Sequence, residues 1–350
     1  MERLFFTNAC FEDELLHPQE SVFLKIPSHP IYLQLHYLSC VVREEEEHPL
    51  LMFPPDDEYR KWLEMKFSYQ LCKLSLQKEV ELSSWGFSAS LASWANEKKW
   101  IYAIPNGDVL KKVNGKDFSY HLGKPLPKSE LLFSLQEALL WYKSFAGPKV
   151  LKSFYGASGR GHLLLLGDHE EEKIAAFIQR SGPVLGEPWV ERVLDFSSQW
   201  HIDKETKEAK YIGATICKNS SRGTYRGSIV GPEEELFGLY QEAWQEHQAY
   251  AKEALMNMAQ MGFFGAVGFD AMVYLDPVSS QYTVQPIVEI NARRTMGWVA
   301  LRIFHKLKVE QKIIVEYSLH KSGKENWLPK EVLMPGNKKL TLPGELTVSF

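Results

Sequence analysis

Two stretches of this 350-residue chain hold residue types that could do chemistry. The first is VLKSFYGASGRGHLLL, residues 150–165. Gly156 and Gly161 stand at the spacing of a Walker loop, but that loop needs a lysine directly after its second glycine, and His162 occupies the place. The order G-x-x-G-x-G is not the dinucleotide fingerprint either, and HLLLL after it reads as a strand where that motif opens a helix. The pattern is a hairpin, with Lys152 in the outgoing strand and a tip of Gly156, Ala157, Ser158, Gly159, Arg160 and Gly161. Glycines let a backbone approach an anion closely, and successive N–H groups form an anion-binding concavity. By itself the stretch is read equally well as a phosphate loop and as a plain hairpin with a glycine tip.

The second stretch is GFFGAVGFDAMVYLDPVSSQYTVQPIVEINARRTMG, residues 262–297. Asp276-Pro277 and Ser279-Ser280 mark a turn between two strand-like runs. Side chains alternate along a strand, so Glu289, Asn291 and Arg293 share one face. Folding the hairpin about residues 278–280 brings Asp270 opposite the region of Ile287 to Glu289. Asp270, Glu289 and Asn291 then converge as oxygen donors, which suits Mg²⁺ (or Mn²⁺) held by a few carboxylates together with phosphate oxygens and water. Two ions about 3.5–4 Å apart could share such a set. Arg293 lies one step along, placed for a phosphate or carboxylate. The alternative is an amphipathic strand with its polar side in water. Asn and Asp are depleted in strand interiors, yet both occur here in apolar runs, so the metal reading is preferred.

The elements that must position these groups are partly legible. YLQLHYLSCVV (32–42) reads as a strand, and the acidic run Glu44 to Glu47 as a solvated loop. LLMFPPDDEYRKWLEMKF (50–67) reads as strand, Pro54-Pro55 break and helix. A helix at SLASWANEKK leads into WIYAIPN, strand-like and closed by a Pro105-Asn106-Gly107 turn. Residues 167–182 read as a helix capped by Asp168, with Glu171 completing a capping box and Gly182 at the stop. Residues 184–203 read as strand, connector, strand. The longest helix is expected over 232–263, with Leu236, Leu239, Tyr240, Ala243, Trp244, Tyr250, Ala251, Leu255 and Met258 on its buried stripe. His247 lies on that stripe and reads as a core histidine.

Composition bounds the rest. At 24% charged and 45% hydrophobic, the chain is ordinary for a soluble globular protein. A net charge of −4 gives no argument for nucleic acid or for an acidic membrane. No apolar run approaches the roughly 18 residues needed to span a bilayer, and MERLFFTNACFEDELLH lacks a signal-peptide core. Cys10, Cys40, Cys72 and Cys217 are scattered and read as buried thiols in a reducing compartment. A cytoplasmic protein is expected.

The two chemical stretches, in this order and about 120 residues apart, resemble the ATP-grasp superfamily over roughly residues 105–305. The resemblance implies ATP with Mg²⁺, held between two α+β subdomains behind a small α/β N-terminal domain. On that reading the chain divides into 1–104, the N-terminal α/β domain; 105–186, the subdomain with the glycine-rich flap; 187–310, the subdomain with the metal set; and 311–350, a C-terminal extension. Lys152 is similar to the family's lysine on the α/β-phosphates, and Gly156, Ser158, Gly159 and Gly161 belong to the flap over the triphosphate. KKVNGKDFSYHLG (111–123) is similar to the family's N-x-K-x-x-x-x-x-L pattern and nominates Lys116. Glu187-Pro188-Trp189-Val190 is similar to the adenine hinge, with backbone groups near Glu187 and Val190 on the base. Pro188 departs from the pattern by removing one N–H donor. Glu191 and Asp195 both qualify for the ribose carboxylate. Asp270, Glu289 and Asn291 take the metal positions, and Arg293, with Arg226 as a weaker candidate, contacts the transferring group.

What the resemblance implies is a carboxylate–amine ligase. A substrate carboxylate attacks the γ-phosphate to give an acylphosphate and ADP, and an amine then displaces phosphate, with amino acids or small peptides as acceptors. Positioning and charge neutralisation carry such chemistry, so no nucleophilic Ser or Cys is expected. A small-molecule kinase and a non-catalytic nucleotide-binding protein are the rival readings. The intact Lys152, Asp270, Glu289 and Asn291 argue against the latter. Dimerisation is common in the family, but nothing in the sequence establishes it.

Overall fold

The computed structural model describes every residue except 18, 70, 72–78, 157–160, 222 and 321, and leaves out the side chain at 337. Its contacts divide the chain into two compact units. One is Met1–Pro105 with Gly227–Val230 and Arg293–Phe350; the other is Asn106–Arg226 with Gly231–Ala292. Among the described residues no helix is long and apolar enough to cross a membrane.

The first unit opens with a parallel sheet of β1 (Glu2–Phe6), β2 (Glu47–Pro49) and β3 (Val80–Ser84) in the order β2-β1-β3. The loops after β1 and β3 are tied by Asn8, whose amide donates to the Gly86 carbonyl at 2.8 Å and accepts from the Gly86 N–H at 3.1 Å. Gly86 has to be glycine, because an added Cβ would fall 2.4 Å from the Phe11 ring. The stretch 32–42, expected as a strand, is helical: Pro30–His36 and Leu38–Val42. Pro30 pre-sets the first turn, and Leu33, Tyr37, Leu38 and Val41 are all fully buried. A helix apolar all round cannot be told from a buried strand by hydrophobicity. The acidic run is solvated only at Glu44–Glu46. Glu47 turns inward and accepts from Ser83 Oγ at 2.9 Å; against its burial, the Arg294 charge and the Glu44 N–H hold its carboxyl below the usual range. The strand expected at residue 50 lies earlier, at β2. Asn106 caps the helix Gly107–Val113 where only a turn was expected.

The second unit holds two sheets. In the first, β4 (Glu130–Leu132), β5 (Lys149–Ser153), β6 (His162–Leu165) and β7 (Val184–Pro188) run in the order β4-β7-β5-β6. The helices Leu135–Lys143 and Glu171–Ser181 cover one of its faces, where Ala138, Trp141, Ile174 and Phe177 pack on Leu132, Leu151, Leu165 and Val184. The second of these helices starts at Glu171 with no side-chain cap, so Asp168 does not cap it; Gly182, at φ +68, does end it. The opposite face of the sheet presents Val150, Lys152, His162 and Glu187, because side chains alternate.

The second sheet takes β8 (Glu191–Ile202), β9 (Ala209–Asn219), β11 (Gly265–Leu275) and β12 (Tyr282–Asn291), antiparallel in the order β12-β11-β8-β9. Between them β10 (Tyr225–Val230) carries Gly227–Val230 into the first unit, where it pairs with β13 (Ile313–Ser318). There β14 (Glu331–Met334) pairs with β15 (Lys338–Thr341), and β16 (Glu345–Ser349) pairs with β13. The long helix expected over 232–263 is broken. Glu233–Phe237 and a turn at Gly238–Tyr240 precede Gln241–Gln260, and Leu239 points to solvent.

His247 of that last helix is a core residue. Its Nδ1–H donates to the Pro286 carbonyl at 2.6 Å, and Nε2 accepts from Ser198 Oγ at 2.7 Å. His36 in the first unit is held alike, by the Thr7 carbonyl and the Met52 N–H. Burial pushes both imidazoles down to about 4. A histidine whose folded pKa lies below the unfolded value of about 6.5 adds stability above that pH and loses it as pH falls toward the folded pKa. The unfolding free energy from urea titration should therefore be level above pH 7 and fall between pH 6.5 and 4, with a slope of up to about 1.4 kcal/mol per pH unit for each group. His247→Gln should flatten that acid slope, and a slope unchanged in this variant would assign the loss to other groups.

Candidate functional site

The strand β12 lies at the edge of its sheet, and the edge is covered by the segment 114–123. Ser119 Oγ accepts from the Ile290 N–H at 3.0 Å and Asn114 Oδ1 from the Ala292 N–H at 3.1 Å, so side chains satisfy backbone donors that an edge leaves open. Gly123 allows the approach, since an added Cβ would sit 2.9 Å from the Ile287 carbonyl oxygen. Lys116, first residue of the helix Lys116–Leu122, is thereby laid across β12 and buried. Its Nζ reaches Glu289 Oε1 at 2.8 Å and the Gly156 carbonyl at 3.3 Å.

Across β11 and β12, Asp270 pairs directly with Glu289 and Gly268 with Asn291. Asn291 Nδ2 donates to Asp270 Oδ2 at 3.0 Å. The structure thus gathers Asp270, Glu289, Asn291 and Lys116 from positions far apart in the chain. Among the described residues no group of three or more His, Cys, Asp or Glu side chains could hold a metal ion. The donor set here is two carboxylates and one amide. That suits a hard cation arriving with phosphate oxygens better than a resident ion caged by protein alone. Just beyond Asp270 the β11/β12 register shifts, and Pro286, which cannot donate to a ladder, sits in the irregularity.

Lys152 pairs with Glu187, and both are buried, at 4% and 2% exposure. Gln285 Nε2 donates to the other Glu187 oxygen at 3.2 Å, joining the hinge strand β7 to β12. Gln285 Oε1 is buried without a hydrogen-bond partner. Sequence reasoning missed Gln285, although it shares the strand phase of Glu289. It missed His162 as a site residue too. His162 stands directly opposite Lys152 in the β5/β6 register, among the charges of Lys152, Lys116, Glu289 and Arg192.

At the hinge, Val190 packs with Leu126, Met272 and Tyr274. Glu191 is exposed. Asp195 is anchored by Asn219 Nδ2 at 2.9 Å and by Arg192 at 3.4 Å, and the Arg192 guanidinium lies 4.6 Å from the Trp189 ring centroid. Cys217 is held as a neutral thiol, its pKa raised by burial and by Asp270 and Asp195. Of the flap, Gly156 and Gly161 are described, both at positive φ, whereas Ser158 and Gly159 lie outside the described residues. Arg226 is exposed. Arg293 falls in the first unit, where its Nε binds Glu12 Oε1 at 2.7 Å.

No family model and no curated protein matches the sequence. Solved structures do match the fold. Biotin carboxylase from Campylobacter jejuni, solved as a β-γ-ATP complex, aligns at TM-score 0.53 and 11% identity over 99% of this chain and 86% of that one. N5-carboxyaminoimidazole synthetase from Staphylococcus aureus, complexed with ADP, aligns at TM-score 0.51 and 10% identity over 91% and 82%. An Archaeoglobus fulgidus protein described as of the ATP-grasp superfamily aligns at TM-score 0.51 and 12% identity over 99% of both chains. With the element order, these alignments lead to one conclusion: the chain has the ATP-grasp fold.

Proposed function

We propose that the chain is an ATP-dependent, ADP-forming ligase that activates a carboxylate as an acylphosphate and couples it to an amine. One observation carries the reading: two buried lysines of a single unit, Lys116 and Lys152, each lie against a carboxylate. Two buried cations, one opening a helix laid across β12 and one on β5, with Asp270, Glu289 and Asn291 beside the first, form a charge pattern suited to a metal–polyphosphate complex.

In this reading Lys116 and Lys152 neutralise phosphate oxygens, and backbone groups near Glu187 and Val190 take the base edge. The anchored Asp195 suits the ribose better than the exposed Glu191. Asp270, Glu289 and Asn291 would hold Mg²⁺, which when bound offsets charge on the phosphates. Arg293 and Arg226 are assigned to the transferring group. Support comes from the relatives in fold, among them enzymes solved with ADP or an ATP analogue. Their identities near 10% leave the substrates of this chain to experiment.

The test is a thermal shift with Mg·ATP, Mg·ADP and Mg·GTP, followed by phosphate release across carboxylate and amine pairs. A ligand at 100 times its dissociation constant stabilises the fold by about 2.7 kcal/mol. An adenine-selective shift and amine-dependent phosphate release are expected. No shift with any nucleotide in a folded sample sinks the reading, and ADP formed without phosphate release would point to a kinase.

A further inference from the structure

We propose that Glu12 is a positioning residue for Arg293, holding its guanidinium in place for the group transferred in the reaction. The proposal rests on the functional reading above, in which Arg293 meets that group, and adds to it a residue from the first helix of the chain.

Arg293 lies two residues beyond Asn291, so their Cα atoms are no more than about 7 Å apart. Its guanidinium is pinned at two points. Nε donates to Glu12 Oε1 at 2.7 Å, and Nη1 donates to the Arg294 carbonyl at 3.3 Å. The Arg293 and Glu12 side chains are 14% and 20% exposed, enclosed enough to be held and open enough to meet a ligand.

The loop after β3 anchors both partners. Asn8 exchanges two hydrogen bonds with Gly86, and the Phe11 N–H donates to the Asn8 carbonyl at 3.0 Å, which fixes the start of the helix Phe11–Leu16. Phe11 is buried, with its ring where a side chain on Gly86 would fall, and Glu12 is the next residue. On the other side, the Arg294 N–H donates at 2.9 Å to the carbonyl of Trp85, the neighbour of Gly86. The Arg294 guanidinium lies 4.1 Å from the Phe5 ring centroid and 4.6 Å from that of Trp298. Each member of the ion pair thus adjoins a residue locked into the first unit. The fold, and not the ion pair itself, sets their separation.

A long arginine side chain has many rotamers to lose on binding, and fixing them beforehand lowers that cost. A donor held in place is worth most where charge develops during reaction. The effect of Glu12 should therefore show in the transferring state and be small in the ground state.

Calorimetric titrations with Mg·ADP, alone and with aluminium fluoride as a mimic of the transferring phosphoryl group, test this on the intact chain. Fluoride should tighten Mg·ADP in wild type. Glu12→Ala should cut that gain about tenfold or more, the span of one hydrogen bond to a charged group, and leave Mg·ADP alone close to wild type. Glu12→Gln keeps an acceptor oxygen and should recover much of the gain. In an Arg293→Met background, Glu12→Ala should cost nothing further, because the two residues act as one. An undiminished gain in Glu12→Ala overturns the proposal. So does a loss that persists in the Arg293→Met background or falls equally on Mg·ADP alone. If Glu12→Ala does not fold, Glu12→Asp, which withdraws the carboxylate by one methylene, should lose part of the gain, and a full gain there overturns it. A wild type that binds Mg·ADP with no gain from fluoride overturns the proposal together with the assignment of Arg293. One that binds no nucleotide fails the functional reading itself and takes the proposal with it.

Discussion

Lys152→Met is expected to cost the fold about 3–5 kcal/mol and to remove most of the nucleotide affinity. Lys152 and Glu187 are both nearly inaccessible and paired with each other. Removing one partner of a buried pair leaves an uncompensated charge, which is far costlier than the net worth of the pair. The Gln285 amide still donates to Glu187, so the loss should lie toward the lower end of that span. Combining Lys152→Met with Glu187→Gln removes both charges and should restore much of the stability, because a neutral side chain of the same shape tolerates burial. It should not restore Mg·ATP binding. Urea unfolding and calorimetry on the two variants therefore split the structural from the binding role of one lysine. If Lys152→Met unfolds within about 1 kcal/mol of wild type, the pair is not the buried anchor described above.

The residues that were legible in the sequence are those whose pattern is local. The 262–297 hairpin followed from alternation and one turn, and Asp270 does stand opposite Glu289. The hinge strands β7 and β8 were legible for the same reason. Lys116 is different: nothing in KKVNGKDFSYHLG shows that a lysine opening a polar helix will be buried. Its environment is made by Ser119, Asn114 and Gly123 docking on a strand some 170 residues later, and only comparison with a family nominated it. The 30–42 helices were misread because burial on all sides erases the period that separates helix from strand. The helix break at Gly238 was masked by a hydrophobic stripe that continues through it. Gln285 and His162 were within reach. One shares the phase of Glu289, and the other follows from folding the glycine hairpin symmetrically about its tip.

Glu289→Gln should leave the Mg²⁺-free affinity for ATP close to wild type and abolish the Mg²⁺-dependent gain, a difference of about tenfold or more, or 1.4 kcal/mol. Glu289 now shares its charge with the Lys116 ammonium at 2.8 Å, so in the absence of metal the lysine neutralises the carboxylate. On the proposed reading, a bound metal–nucleotide complex would ask for an exchange, with Lys116 on phosphate and Glu289 on the cation. The glutamine keeps the shape and can still accept from Lys116, but it supplies no charge to a hard cation that prefers carboxylates. Lys116→Met acts on the other half of the exchange. It removes the ammonium that competes with a cation for Glu289, so Mn²⁺ alone should bind more tightly than in wild type, while ATP binds more weakly. Titrating Mn²⁺ by its paramagnetic relaxation, with and without nucleotide, reads both halves directly. A Lys116→Met protein that loses Mn²⁺ and ATP affinity together would show that Lys116 builds the site and does not merely occupy it. The exchange would then give way to a lysine whose hold on Glu289 is structural, as its contact with the Gly156 carbonyl would also allow.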